Sequence, residues 1–224
     1  MKLFLLVVLF CGALGAQEGL DFIQRCSEAT FQCLKKNGIG FVIPRIFRSI
    51  GKVDEVGIKN VKNARKAGIS EVDGYLFPCL ASHCPNGATQ VKTTLDRLVK
   101  ENAKAYGRYM DHSSTVNTLW LDIERLAWPA NHATNRKFIE EMVKEAENMK
   151  QAVGIYSNYY NWEAIVGLDY HGLAHLKLWW AEYDGHKDLS KYREFGGWTK
   201  PYIHQWHGTT IGPCGVSVDL NYKP

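Results

Sequence analysis

The chain has 224 residues, of which 46% are hydrophobic and 22% are charged, and its formal net charge is +4. This length suits one large domain as well as two small ones. The mild positive charge gives at most a weak attraction to anionic surfaces, and the absence of any block of five or six like charges leaves nucleic acid with little support as a partner.

The first residues have the pattern of a secretory signal. Lys2 supplies the charge, residues 3–10 form the apolar stretch, and small residues up to Ala16 mark a cleavage point. The stretch is too short to span a bilayer, and no second stretch approaches about 18 uninterrupted apolar residues. We therefore expect a signal peptide at 1–16 and a single domain at 17–224. We expect it to be secreted, extracellular or in a gut or phagosomal lumen, without a transmembrane anchor.

After the signal, short apolar runs alternate with amphipathic helical patterns, without a linker, a low-complexity tract or an internal repeat. The helical patterns lie near residues 27–38, 54–67, 89–104 and 134–149. The strand candidates are residues 19–23, 40–43, 72–77, 119–121, 152–157, 178–183, 202–206 and 216–220.

Eight strand candidates with helices between them predict an α/β protein built as a closed barrel, because each strand-helix unit returns the chain to a neighbouring strand. The helical patterns thin out after Gly167. We therefore expect an irregular (β/α)8-like barrel, with parallel strands in most of it and fewer helices in the C-terminal third. An open doubly wound sheet is the alternative, but no glycine-rich phosphate fingerprint follows the first strand. The sequence therefore shows no phosphate-binding loop for a nucleotide, and no cofactor is expected.

Five cysteines remain after the signal, and in an oxidising compartment an odd number leaves at least one thiol free or bonded to another chain. Cys79 and Cys84 bracket a short loop and form the first predicted pair. Cys26 and Cys33 would be about 10 Å apart on one helix, which is too far for a disulfide. The second predicted pair is therefore Cys26 with Cys214.

The histidines and cysteines do not form a recognisable metal site. There is no Cys-x2-Cys pair with a matching histidine spacing. His171 and His175 are four residues apart, but no glutamate stands in the right place between them and Gly172 interrupts a helix there. No metal is expected.

The central run ends in two carboxylates, Asp122 and Glu124. On a strand both side chains project from one face, with Cα atoms roughly 6.6 Å apart. One charge can then raise the pKa of the other group and keep a proton available for a general acid. Alone, Asp-x-Glu is a weak motif, because a strand that gives way to a polar loop has the same pattern.

Other strand candidates add polar and aromatic side chains where a barrel enzyme has its site. Asp21 and Asp219 stand in otherwise apolar runs, where an unpaired carboxylate is costly to bury. The remaining candidates are Tyr75, Phe77, Tyr156, Trp180, Glu182, Tyr183, Gln205 and Trp206. Aromatic rings pack on sugar faces while carboxylates act on glycosidic oxygens, so the set indicates a polysaccharide cleft.

Several of these residues have a simpler reading. Trp179 and Trp180 face opposite sides of a strand, so at least one belongs to the core. Tyr156 could simply pack with its hydroxyl hydrogen-bonded, and Glu182 could be a solvated loop charge.

Five short segments carry a family resemblance in their order along the chain. They are residues 19–21 (Gly-Leu-Asp), 121–124 (Leu-Asp-Ile-Glu), 154–158 (Gly-Ile-Tyr-Ser-Asn), 178–183 (Leu-Trp-Trp-Ala-Glu-Tyr) and 218–221 (Val-Asp-Leu-Asn). This set resembles the glycoside hydrolase family 25 lysozymes, most closely the secreted invertebrate members. One departure is Gln205-Trp206, which stands where the family often has Trp-Gln-Tyr.

The resemblance implies a muramidase on an irregular β/α barrel, and we expect the protein to be a monomer. Its partner would be bacterial peptidoglycan, cut at the β-1,4 bond from N-acetylmuramic acid to N-acetylglucosamine for defence or digestion. Carried over by position, Glu124 is the general acid, Asp122 the neighbouring carboxylate, and Asp21 and Asp219 the flanking aspartates. The substrate-contacting positions are Tyr75, Tyr156, Trp180 and Tyr183.

Two alternatives remain open. A family 18 chitinase also uses Asp-x-Glu on a barrel strand, but it would need further acids near Asn117 and Trp120, and those positions are not acidic. The other alternative is a sugar-binding protein that has lost turnover. The intact acid set argues against it, since a pure binder has no need of closely paired acids.

Overall fold

The computed structural model describes residues 16–106 and 115–224. The expected signal peptide, apart from Ala16, lies outside the described residues and stays a prediction. In the part of the chain that is described, no helix combines the length and apolarity needed to cross a membrane.

Eight strands close into a barrel, as predicted. They are β1 (Gln17–Phe22), β2 (Ile39–Arg48), β5 (Gly74–Leu76), β6 (Leu119–Asp122), β7 (Val153–Ser157), β8 (Lys177–Ala181), β9 (Ile203–Ile211) and β10 (Ser217–Lys223). The short strands β3 (Lys52–Val53) and β4 (Glu71–Val72) both pair with β2. Pairing of β1 with both β2 and β10 closes the ring.

One strand of the ring, β10, runs in the opposite direction to the other seven. Each pairing from β1 through β2 and β5 to β9 is parallel, whereas β10 runs antiparallel to both β9 and β1. The amino-terminal half of β10 therefore lies beside the carboxyl ends of the other strands. This reversal brings Asp219, the third residue of β10, level with Asp21, and the two are direct cross-strand partners.

Five helices pack outside the barrel among the described residues. They are α1 (Glu28–Lys36), α2 (Glu55–Lys66), α3 (Gly87–Tyr106), α4 (His132–Asn148) and α5 (Tyr159–Ile165). The sequence analysis did not predict α5, a short helix in which three of the seven residues are aromatic, yet Asn158 caps it by accepting from the backbone N–H of Asn161. After α5 the only helical element of the described chain is a 3-10 turn, Pro213–Gly215. This agrees with the expectation of fewer helices in the C-terminal third.

Small residues allow large rings to fill the barrel interior. A Cβ on Gly19 would lie 2.2 Å from the ring of Phe41, and one on Gly154 would lie 2.4 Å from Trp120. The interior cluster consists of Phe41, Ile43, Trp120, Tyr156, Trp179, Ala181 and Ile203, with Tyr75 against it. The barrel is a packed core on which the polar end is built.

One predicted disulfide is present and the other is wrong. Cys79 is bonded to Cys84, but the partner of Cys214 is Cys33, with Cα atoms 6.2 Å apart. Cys26 precedes α1 and points into the core, where its backbone N–H donates to Asn60 Oδ1 at 2.9 Å. Excluding a Cys26–Cys33 pair did not decide which of the two cysteines bonds to Cys214. In the structure Cys33 bonds to Cys214, whereas Cys26 is buried in the core. Cys26 is the free cysteine of the described residues.

Candidate active site

The carboxyl ends of the parallel strands surround a cleft of about 260 Å³. All four predicted acids line it: Asp21, Asp122, Glu124 and Asp219. The cleft also takes side chains from Arg45, Tyr75, Tyr156, Trp179, Tyr183 and Gln205. Carboxylates that are separated by up to 198 positions in the sequence thus meet at one end of the barrel.

Asp21 and Asp219 form the first acidic pair. Asp21 is buried, and its Oδ1 accepts from Gln205 Nε2 at 2.8 Å and from Asn221 Nδ2 at 2.7 Å. Burial and the neighbouring charge of Asp219 raise the pKa of Asp21 to about 8. Asp219 is half-buried, and burial raises its pKa although a hydrogen bond from the Thr209 backbone N–H opposes the shift.

Asp122 and Glu124 form the second pair, at and just beyond the end of β6. Asp122 is buried, and its Oδ1 has no hydrogen-bond partner among the described residues. Burial first, then the charges of Glu124 and Asp21, raise the pKa of Asp122 well above its ordinary value. Glu124 is half-buried, and burial followed by the charge of Asp219 raises its pKa. The charge of Glu124 thus raises the pKa of Asp122, whereas the carboxylate that raises the pKa of Glu124 is Asp219 and not its sequence neighbour.

Gln205 joins the acids to the tyrosines, a role that the sequence analysis missed. The side chain is buried, and its Oε1 accepts from the hydroxyls of Tyr156 at 2.7 Å and Tyr183 at 3.0 Å. Its Nε2 donates to Asp21 at 2.8 Å and to Asp219 Oδ2 at 3.3 Å. The alternation along β9 could have predicted that this polar residue faces inward, but not that four partners surround it.

Arg45 is a cleft residue that the sequence analysis did not name as a candidate. The apolar run predicted a strand that stops before Pro44, but β2 continues to Arg48 and places Arg45 on the cleft. Its Nε donates to Asp54 Oδ2 at 2.9 Å, and Asp54 also caps α2. The guanidinium charge lowers the pKa of Asp122 and so partly offsets the effect of burial. It gives an acidic cleft one fixed positive charge.

Three predicted aromatic positions lie in the cleft. Tyr75 is half-buried, with its ring edge-on to Trp179 at 6.1 Å. Tyr156 packs on the same indole at 4.5 Å, and Tyr183 is exposed at the rim. Together they give the cleft an aromatic floor and one aromatic edge.

Trp180 requires a correction. Its ring is buried outside the barrel interior, stacked on His204 at 4.2 Å and edge-on to Tyr192 at 5.1 Å. Trp179 faces the cleft instead, and its Nε1 donates to Asn221 Oδ1 at 2.7 Å. Neighbouring residues of a strand point to opposite faces, so only one tryptophan of the pair can reach the site.

Among the described residues, one group of side chains has ligand atoms close enough to hold a metal ion: Cys79, His83 and Cys84. Both sulfur atoms are joined in a disulfide. They cannot act as the thiolate ligands that a zinc site requires.

Comparisons with known proteins agree on one family. A family model described as lysozyme-like protein 1 matches residues 13–206. Lysozyme-like protein 5 of Caenorhabditis elegans is 58% identical over 222 residues, 99% of this chain and 98% of that protein. A probable GH family 25 lysozyme 2 of Dictyostelium discoideum is 36% identical over 94% of this chain and 92% of its own. A family GH25 lysozyme structure from Aspergillus fumigatus shares the fold, with a TM-score of 0.70 at 22% identity, over 93% of this chain and 94% of that one.

Proposed function

The chain belongs to the glycoside hydrolase family 25 lysozymes, and we propose that it hydrolyses the β-1,4 bond between N-acetylmuramic acid and N-acetylglucosamine in bacterial peptidoglycan. The observation that carries this proposal is the meeting of four carboxylates, from β1, β6 and β10, in one cleft with an aromatic floor. Acids with raised pKa values beside aromatic rings suit protonation of a glycosidic oxygen.

Glu124 is the proton donor in this proposal. Its carboxylate accepts no hydrogen bond from the described residues, and its raised pKa lets it hold a proton closer to neutral pH. It can protonate the glycosidic oxygen as the bond to the anomeric carbon breaks, and the proton leaves with the departing sugar. The Glu124 carboxylate then takes a proton from the attacking water, which restores the acid.

Asp122 orients the substrate. Its carboxylate lines the cleft and is not fully hydrogen-bonded, so it can accept from the N–H of the 2-acetamido group on the sugar whose bond is cut. Held in this way, the acetamido carbonyl oxygen can attack the anomeric carbon, and water later opens the resulting ring. This route retains the anomeric configuration because the bond is displaced twice.

Asp21, Asp219 and Gln205 support the two acids. The charge of Asp219 raises the pKa of Glu124, and the charge of Asp21 raises that of Asp122. Gln205 donates hydrogen bonds to the carboxylates of Asp21 and Asp219 and accepts one from the Tyr156 hydroxyl. These residues act on the proton donor and on the shape of the cleft, so we assign them as positioning residues.

We further propose that the protein is secreted as a monomer and acts in antibacterial defence or digestion. The signal-like segment at 1–16 supports secretion. The Cys33–Cys214 and Cys79–Cys84 disulfides support an oxidising compartment.

The release of new reducing ends tests the proposed reaction. Incubation with purified peptidoglycan should release them, and incubation with chitin should not. Release from chitin alone would favour a chitinase, and release from neither, with binding to wall fragments, would favour a sugar-binding protein.

A further inference from the structure

A second pocket of about 330 Å³ lies beside the cleft, and we call it the side pocket. Residues of the 79–86 loop, which follows β5, form one wall. The other wall comes from the loop after β6 and the start of α4 and consists of Trp128, Pro129, Thr134, Asn135 and Phe138. We propose that the side pocket binds an N-acetylhexosamine unit of the same glycan strand, beyond the sugars that flank the cleaved bond. This inference rests on the proposed function.

The side pocket continues the cleft along the same two segments. After β5, Phe77 lines the cleft and Cys79 lines the side pocket. After β6, Glu124 lines the cleft and Trp128 lines the side pocket, and the indole Nε1 donates to the Glu124 carbonyl oxygen at 3.0 Å. A strand extending from the cleft across this turn therefore meets the side pocket next.

The walls have the chemistry of a sugar-ring site. Trp128 and Phe138 are half-buried with ring centroids 5.9 Å apart, and Pro85 and Pro129 extend the apolar surface. Aromatic surfaces pack on the C–H faces of sugars. No lysine or arginine lines the side pocket, so its described residues offer no cation to an acidic group such as a peptide carboxylate.

A buried amide gives the side pocket an acceptor for an N–H group. Asn135 is 1% exposed, and its Nδ2 donates to the carbonyl oxygens of Pro129 and Ile165, both at 2.8 Å. These two bonds fix the orientation of the amide and leave Oδ1 without a partner among the described residues. Buried acceptors are rarely left unpaired, and in this proposal the acetamido N–H satisfies that buried oxygen by inserting past the surface of the pocket.

The walls are also fixed before any ligand arrives. The Cys79–Cys84 disulfide closes the 79–86 loop. Gln90 holds the same loop with three bonds of 2.8 Å: it accepts from the Cys79 N–H and donates to the carbonyl oxygens of Cys79 and Pro85. A preformed wall reduces the entropy lost on binding.

Filling the side pocket tests the inference. Thr134 is exposed and lines the side pocket, whereas Lys137 is exposed on the same helix and does not line it. We expect Thr134→Trp to weaken binding of a peptide-free wall hexasaccharide about tenfold, as the loss of roughly one ring contact predicts. Binding of the disaccharide should not change, and Lys137→Trp should resemble the parent chain. Affinity is measured by calorimetry in Glu124→Gln chains, which do not consume the ligand.

A second pair of variants serves if Thr134→Trp fails to fold. Trp128→Phe and Trp128→Leu both lose the bond to the Glu124 carbonyl, but only the phenylalanine keeps a ring. We expect the leucine variant to bind the hexasaccharide several-fold more weakly than the phenylalanine variant, with equal disaccharide affinity. Equal hexasaccharide affinities, or a loss confined to strands that carry stem peptides, would overturn the inference.

The two proposals fail in different ways. If the unsubstituted chain releases no reducing ends from peptidoglycan, the proposed reaction is wrong. The binding comparisons do not need turnover and still decide on the side pocket.

Discussion

The two ends of the barrel interior both contain buried carboxylates, but only the carboxyl end leaves a buried carboxylate oxygen without a hydrogen-bond partner among the described residues. At the amino ends of the strands, Asp73 is buried with both oxygens bonded, to the Thr118 backbone N–H at 3.0 Å and to Trp120 Nε1 at 2.8 Å. Lys223 lies nearby in an ion pair with Glu71 and lowers the pKa of Asp73. Burial still raises that pKa to about 6.

At the carboxyl ends, four acids share one nearby arginine, and Asp122 keeps an oxygen without a described partner. The same residue type thus stabilises the fold at one end and stores electrostatic repulsion at the other. A buried polar group whose bonds are complete is structural, whereas incomplete bonding in a cleft indicates a site prepared for a ligand.

The largest effect should follow from removing the proton donor. Glu124→Gln is expected to lower the rate of release of reducing ends from peptidoglycan by about 10²–10⁴-fold, because amide groups cannot donate the proton. The melting temperature should stay the same or rise, since a crowded charge is lost. Near-parental activity in the variant would remove Glu124 from its assigned role.

At the other end, Asp73→Ala should affect stability and not chemistry. The change leaves the indole N–H of Trp120 and the backbone N–H of Thr118 buried without their acceptor. We expect the free energy of unfolding to fall by about 2–4 kcal/mol, from the cost of unsatisfied buried donors. Urea denaturation measures it. The kcat of the folded fraction should be close to the parent value, and a large loss of kcat would contradict the contrast between the two ends.

Gln205→Met tests the bonding that joins the acids and tyrosines. The thioether has similar length but cannot replace the four bonds, so kcat/KM should fall about tenfold, as expected for a lost hydrogen bond to a charged group. The pKa of Asp21 should rise further, because the Gln205 bond lowers it. Gln32 is exposed on α1, and Gln32→Met is the matched control. A variant that keeps parental kcat/KM across the pH range would show that Gln205 positions nothing.

The most gradual effects are the pH slopes of stability. A carboxyl whose folded pKa is raised keeps its proton when the unfolded chain has released one, so the free energy of unfolding falls as pH rises between the two values. For Asp21 this window runs from 3.8 to about 8, and for Asp73 from 3.8 to about 6. Each group contributes at most about 1.4 kcal/mol per pH unit.

Urea denaturation measured across pH should therefore distinguish Asp21, at the carboxyl ends of the strands, from Asp73, at the amino ends. Asp21→Asn should flatten the fall in stability up to about pH 8, and Asp73→Asn only up to about pH 6. Equal windows for both variants would show that the two carboxyls experience similar surroundings.

Local pattern was enough to predict the barrel and its acids. Strand and helix periodicities gave the order of the eight barrel strands and of the first four helices, and the two-residue spacing of Asp122 and Glu124 gave their common direction. Two errors arose where either of two similar residues could have taken the same place in the structure. Alternation could not say which of Trp179 and Trp180 faces inward, and spacing could not choose between Cys26 and Cys33 as the partner of Cys214.

The sequence by itself determined the fold class, the family and the acids, because these depend on periodicity and on short motifs in a fixed order. Only the tertiary structure placed Arg45 and Gln205 against those acids and separated the satisfied Asp73 from the unsatisfied Asp122. Hydrogen-bond completion and burial depend on partners that are distant in the chain. Closure of the ring by an antiparallel β10 brings Gln205 beside Asp21 and Asp219, and no local pattern records that closure.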